Sequence, residues 1–185
     1  MTKLFDPEKL HSIAKEVVGL PNDKMFTELI AKLDAAYPGR INTKVRWIFN
    51  NAGGAMGQMT ILYGSITEYL IIFGTPIGTE GHSGRYSSEV YDFMIEGEMW
   101  TYYQGDTVRT VYKPGDAAHL ASDKVKGYCV KDHAWMLEYG RGFIPTMMPF
   151  GLADSIFSTL DYKNFFYTIW DYGRLCVREL LRGKF

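Results

Sequence analysis

Cysteine is nearly absent from this chain: Cys129 and Cys176 are the only two among 185 residues. A secreted disulfide scaffold would be denser in cysteine, and a zinc site would show closely paired ligands. Free, half-buried thiols are the expectation. The four histidines, His11, His82, His119 and His133, fall in no H-x-H or H-E-x-x-H spacing, so no metal site is expected. An excess of one charge is also lacking. Lys plus Arg come to 20 and Asp plus Glu to 21, a net charge of -1, which excludes the basic footprint of a nucleic-acid binder. No apolar run approaches the roughly 18 residues of a spanning helix. The longest strongly apolar stretch, Tyr69 to Phe73, is strand-sized. Met1 leads into a polar segment without the pattern of a signal peptide, so either the natural protein has no leader or anchor, or one has been removed.

Aromatic residues are what the chain has in plenty: 13 Tyr, 11 Phe and 4 Trp, or 15%. The overall mixture, 46% apolar and 22% charged, is that of a folded globular chain. Its length suits one domain over residues 1–185, and no repeat, linker or low-complexity tract divides it.

Residues 1–40 form a helical lead-in. Asp6 and Pro7 are an N-cap and a first helical residue, followed by Leu10, Ile13, Ala14, Val17 and Val18 at helical spacing. Pro21-Asn22-Asp23 opens a second helix with the stripe Phe26, Leu29, Ile30, Leu33 and Tyr37. From about residue 44 to 142 the period shortens. Candidate strands are Lys44 to Phe49, Gln58 to Tyr63, Ser65 to Phe73, Ser88 to Ile95, Glu98 to Tyr103, Thr107 to Tyr112, Lys126 to Val130 and Ala134 to Tyr139. Turn signals such as Gly97, Pro114-Gly115 and Lys131-Asp132 separate them, the pattern of a β-barrel or sandwich. Residues 146–185 turn helical again, with Asp161 as a cap for a last helix from Tyr162 to about Arg182. Phe165, Phe166, Tyr167, Ile169, Trp170 and Tyr172 crowd its first half, which must be buried against the sheet or in a lipid interface. The fold class is mainly β with two helices at each end.

Chemistry is sparse. Asn50 to Gln58 is glycine-rich but lacks the G-x-G-x-x-G spacing and the βαβ context, so it reads as a sharp corner rather than a phosphate site. Gly78 to Tyr86 reads as a second loop. The acids on strands say more, although a lone acid on a strand usually faces solvent. Glu138 sits in Trp135-Met136-Leu137-Glu138-Tyr139 and shares a face with Met136. Glu89 and Asp92 are three apart and face opposite sides of a regular strand unless a bulge intervenes; Glu68 is a further inward candidate. Two close buried carboxylates cannot both ionise easily, so one keeps a proton near neutral pH while the other stays anionic. Such a pair can protonate carbon and stabilise the resulting cation, with help from aromatic faces.

Asn50 to Gln58, Glu68-Tyr69, Phe73-Gly74-Thr75, Gly78-Thr79-Glu80-Gly81-His82, Phe5-Asp6-Pro7, Ile144-Pro145, Pro149-Phe150-Gly151 and Phe157-Ser158-Thr159-Leu160-Asp161 together resemble the family of fungal C-8 sterol isomerases and animal sigma-one receptors. The resemblance covers nearly the whole chain. It implies a cupin-like β-barrel around an occluded ligand pocket, C-terminal amphipathic helices on a membrane surface, a homotrimer, residence in the endoplasmic reticulum if the source is eukaryotic, and no cofactor. Carried over by position, it makes Glu138, Glu89 and Asp92 the catalytic acids. Tyr69, Phe73, Tyr86, Met136, Trp135 and His119 become ligand-binding residues. The implied reaction moves a sterol double bond from carbon 8 to carbon 7 by proton addition and removal through a carbocation. The alternative is a non-catalytic receptor for cationic amines, sterols or lipids. Ala55-Met56-Gly57-Gln58 leans towards the isomerases, whereas Ser83 to Tyr86, Asp92 and Tyr139 to Gly142 lean towards the receptors.

Overall fold

Helix α1 (Pro7–Lys15) begins where its residues dictate. In the computed structural model, which describes residues 3–184, the Asp6 side chain accepts from the Glu8 amide and Pro7 occupies the first turn. Helix α2 (Asn22–Ala36) follows and buries Met25, Leu29, Ile30 and Leu33. These stripes pack with Leu62, Leu70, Ile72, Phe93, Trp135 and Leu137 from one face of the sheet.

Eight strands form that sheet: β1 (Ile48–Ala52), β2 (Ala55–Gly64), β3 (Glu68–Thr75), β4 (Thr79–His82), β5 (Glu89–Tyr103), β6 (Thr110–Tyr112), β7 (Ala117–Leu120) and β8 (Lys126–Arg141). All described pairings are antiparallel, in the order β1-β2-β3-β8-β5-β6, with β4 also on β8 and β7 also on β5. The expected barrel is therefore not closed by hydrogen bonds: β1 and β6 remain edges. Helix α3 (Met148–Phe157) packs against β1, and α4 (Tyr162–Leu181) packs against β2 and β1.

Several segments differ from their sequence reading. Gly97 and Lys131-Asp132 do not end strands; the β5–β8 ladder runs through this region with register shifts at Met94/Glu96 and Gly97/Met99. A bulge absorbs an extra residue and re-aims the side chains beyond it, so inward positions on β5 change from Val90, Asp92 and Met94 to Met99. The Gly78–Tyr86 loop contains β4, and β7 occupies a stretch without a strand signal. The first glycine cluster is a corner. Gly53 and Gly54, with φ of 62° and 86°, join the paired Ala52 and Ala55 in a two-residue hairpin turn that favours glycine.

Glu68 faces away from the inward side of β3. It is buried beneath the chain's start, where its carboxylate accepts from the Leu4 and Phe5 amides and the Tyr139 hydroxyl. This acid ties the N-terminal segment to the sheet.

Candidate active site: an acid pair in an apolar cavity

Because side chains alternate, each strand contributes one row to the helix-packed face and one to the interior. The interior row includes Met59, Ile61, Tyr69, Ile71, Phe73, Met136 and Glu138. With Met147, Met148, Phe150 and Leu152 near α3, and Thr168 and Tyr172 of α4, it encloses a cavity of about 190 Å³. The walls are mostly apolar and aromatic, and they carry few charged groups.

Glu138 lies at the centre of the polar set. The Tyr69 hydroxyl donates to Glu138 Oε1 at 2.6 Å. Tyr69 can lie so close because its β8 partner is Gly140; a Cβ there would sit 2.0 Å from the Tyr69 ring. Glu138 retains accessible surface and borders the cavity while protein surrounds it. Burial first, and then the neighbouring Asp92 charge, push its carboxyl up to about 7, against the Tyr69 hydrogen bond and the Lys126 charge. Asp92 is its register partner across β5 and β8. The Lys126 ammonium donates to Asp92 Oδ2 at 2.7 Å, and both side chains are buried. Burial alone would pull the Lys126 ammonium down; the Asp92 charge and hydrogen bond, with the Glu138 charge, reverse this and raise it.

Of the site residues expected from sequence, Glu138, Asp92, Tyr69, Phe73, Tyr86 and Met136 line this cavity. Three do not. Glu89 lies on the opposite face of β5, where Arg141 Nε donates to it at 2.6 Å and the Tyr91 hydroxyl at 3.0 Å. No bulge precedes Asp92, so strand alternation holds Glu89 outside. Its carboxyl is lowered because the Arg141 and Tyr91 hydrogen bonds and the Arg141 charge outweigh its partial burial. His119 is outward on β7 between the inward Ala118 and Leu120, stacked on Tyr91 at 4.4 Å between centroids and 3.8 Å from Glu89. Trp135 alternates with Met136 and packs edge-on to Phe26 and Trp47 in the helix-side core.

Sequence reading missed Lys126, Tyr128, His82 and Tyr172 as lining residues. Parity was the available signal for two of them: Lys126, Tyr128, Met136 and Glu138 are even positions of one strand. His82 is exposed at the end of β4, and its Nδ1 accepts the Gly84 amide. Among the described residues no cluster of His, Cys, Asp or Glu suits a metal ion.

Fold and site together define a mainly β protein with an acid-bearing apolar pocket. Residues 2–184 match the sequence profile of the family described as "ERG2 and Sigma1 receptor like protein", and the chain belongs to that family. It is 44% identical to the C-8 sterol isomerase erg2 of Aspergillus fumigatus, over 98% of this chain and 78% of that protein. It is 40% identical to sigma non-opioid intracellular receptor 1 of Xenopus tropicalis, over 95% of this chain and 80% of that protein. A cupin superfamily protein from Desulfitobacterium hafniense, of known structure, is similar over 45% of this chain and 74% of its own, with 17% identity and a TM-score of 0.40.

Proposed function

We propose that this protein isomerises an 8-unsaturated sterol to its 7-unsaturated form, with no cofactor. The observation that carries the reading is geometric: the Glu138 carboxyl, pushed up to about 7 by burial and then by its register partner Asp92, borders an apolar cavity. Glu138 gives its proton to carbon 9 of the bound sterol, and the double-bond electrons leave a tertiary cation at carbon 8. The Glu138 and Asp92 carboxylates then face that cation in a site with little water to screen them. A proton on carbon 7 of such a cation is acidic enough for a weak base. Asp92 takes it and the new double bond forms; between turnovers Asp92 gives that proton to water and Glu138 takes one from water, which resets the site. The Tyr69 hydrogen bond supports the Glu138 anion as it forms.

The second reading, a receptor for cationic amines, is favoured by the same acids, because a bound ammonium imitates the cation. A membrane surface completes the proposal: Phe157, Leu160, Phe166 and Trp170 expose 83%, 60%, 64% and 67% of their surface along α3, its link to α4, and α4. No helix among the described residues is long and apolar enough to cross a membrane. A homotrimer in the endoplasmic reticulum rests on family membership alone.

Purified protein is expected to convert an 8-unsaturated sterol without additives. Glu138→Gln, which keeps the shape and removes the proton, should lose that conversion. Wild-type turnover by the folded variant contradicts the assignment.

A further inference from the structure

An ammonium inside an apolar cavity is costly unless it is paired, so a lysine kept there calls for a reason. Lys126 exposes 6% of its side chain, and among the described residues it is the only Lys or Arg lining the cavity. Its backbone is pinned as well: its amide donates to Ser83 Oγ at 3.0 Å, and its carbonyl accepts the Ser83 amide at 2.9 Å. The strand start is thereby fixed and the ammonium directed at Asp92. The proton transfers proposed above make no use of it.

We propose that Lys126 sets the net charge of the cavity and thereby its ligand class, admitting a neutral lipid at rest and a cationic amine only when Glu138 releases its proton. The inference deepens the sterol reading and rests on the same cavity. Its logic is a charge count. Asp92 and Lys126 cancel, and a protonated Glu138 adds nothing, so the resting cavity is neutral. Proton transfer to a sterol leaves it neutral again, with the carbocation balancing the new Glu138 anion. An incoming ammonium makes it cationic unless Glu138 ionises. Without Lys126, nothing in the lining balances the buried Asp92 carboxylate opposite Glu138, and the cavity becomes a standing cation site.

The other groups around Glu138 do not upset this count. Tyr69 of β3, Tyr86 before β5 and Tyr128 of β8 are all raised by burial first and stay neutral. Tyr172 of α4 is raised in the same way, also mainly by burial. The lining from β1, β2, α3 and β7 carries no charged side chain, and His82 sits exposed at the end of β4.

The test uses binding of N,N-dimethyldecylamine, followed by isothermal titration calorimetry in buffers of different ionisation enthalpy. Wild-type protein should bind this cation more tightly as pH rises from about 6 to 8, and near pH 6 should release close to one proton per amine bound. Lys126→Met should bind the amine about tenfold more tightly near pH 6, without proton release. Lys126→Arg should behave as wild type. Unchanged or weaker amine binding by a folded Met variant overturns the proposal. So does a wild-type protein that binds the amine near pH 6 without proton release, or that binds none at pH 8. If Lys126→Met does not fold, the wild-type proton count and the Arg variant decide. No turnover enters this test, so a protein inactive on sterols can still pass it, and an active isomerase can fail it.

Discussion

Glu138 gathers the consequences of this site at the scale of one residue. Its folded-state carboxyl is raised from 4.5 to about 7, burial being the larger cause and Asp92 the next. The folded protein therefore holds this proton more tightly than the unfolded chain does. The stability that proton contributes is complete below about pH 4.5 and is lost as pH rises through about 7. Its size is at most about 3 kcal/mol, from roughly 1.36 kcal/mol per unit. Glu138→Gln cannot titrate, so its stability relative to wild type should climb between about pH 5 and 8 by up to that amount. Urea unfolding of both proteins across this range reads the difference. A flat difference would mean that Glu138 ionises in the fold as it does in water.

At the scale of elements, the β3–β8 pair aims the donor that tempers Glu138. Tyr69 reaches Glu138 only because Gly140 leaves room for its ring. Tyr69→Phe, which removes the hydrogen bond to Glu138, should slow sterol turnover, and Gly140→Ala should displace the ring and slow it as much, at an added cost to stability of about 1–3 kcal/mol for the crowding. The double variant should turn over sterol no more slowly than Gly140→Ala alone, since both changes act on one contact. Additive losses would place the role of Gly140 elsewhere.

The same strands show what the sequence made legible. Alternation along β8 placed Glu138 and Met136 on one face, and the structure puts both at the cavity. It also put Trp135 on the other face, where the structure finds it, although the family resemblance had made it a ligand residue. On β5 the spacing of Glu89 and Asp92 left a choice between a regular strand and a bulge. The bulges lie further along, so only Asp92 is inward. Lys126 carries no local signal of its role, since a lysine at a strand start normally marks a solvated end. Its burial depends on Asp92 from a distant strand, and no local pattern carries that. Gly97 and Lys131-Asp132 carry turn chemistry, yet tertiary pairing turned them into irregularities of long strands.

Over the whole molecule, α4 divides its surface. Glu179 is fully buried, bonded to Arg40 at 2.5 Å and to Arg178 and Arg182 at 3.3 Å each, so the charged half docks onto the segment after α2. Tyr167, Tyr172 and Leu175 pack with the interior cluster, while Tyr162, Phe166, Ile169 and Trp170 stay exposed. The crowded aromatic half is thus split between sheet and surface. Phe166→Ser with Trp170→Ser should lower partition onto phosphatidylcholine liposomes by about tenfold or more, with the thermal melt unchanged. Equal partition by the folded variant would assign the exposed face to something other than lipid.

The aromatic surplus of the chain therefore serves a pocket on the inside and an apolar face on the outside. Both are what the proposed sterol chemistry at a membrane surface would call for. The central claim is that Glu138 places a solvent-derived proton on carbon. It is tested most directly by incubating the purified protein with an 8-unsaturated sterol in deuterated water and locating the label by mass spectrometry and NMR. The account predicts a 7-unsaturated product with deuterium at carbon 9. Unchanged sterol, from protein that still binds a cationic amine through Glu138, would contradict the isomerase and leave the receptor reading.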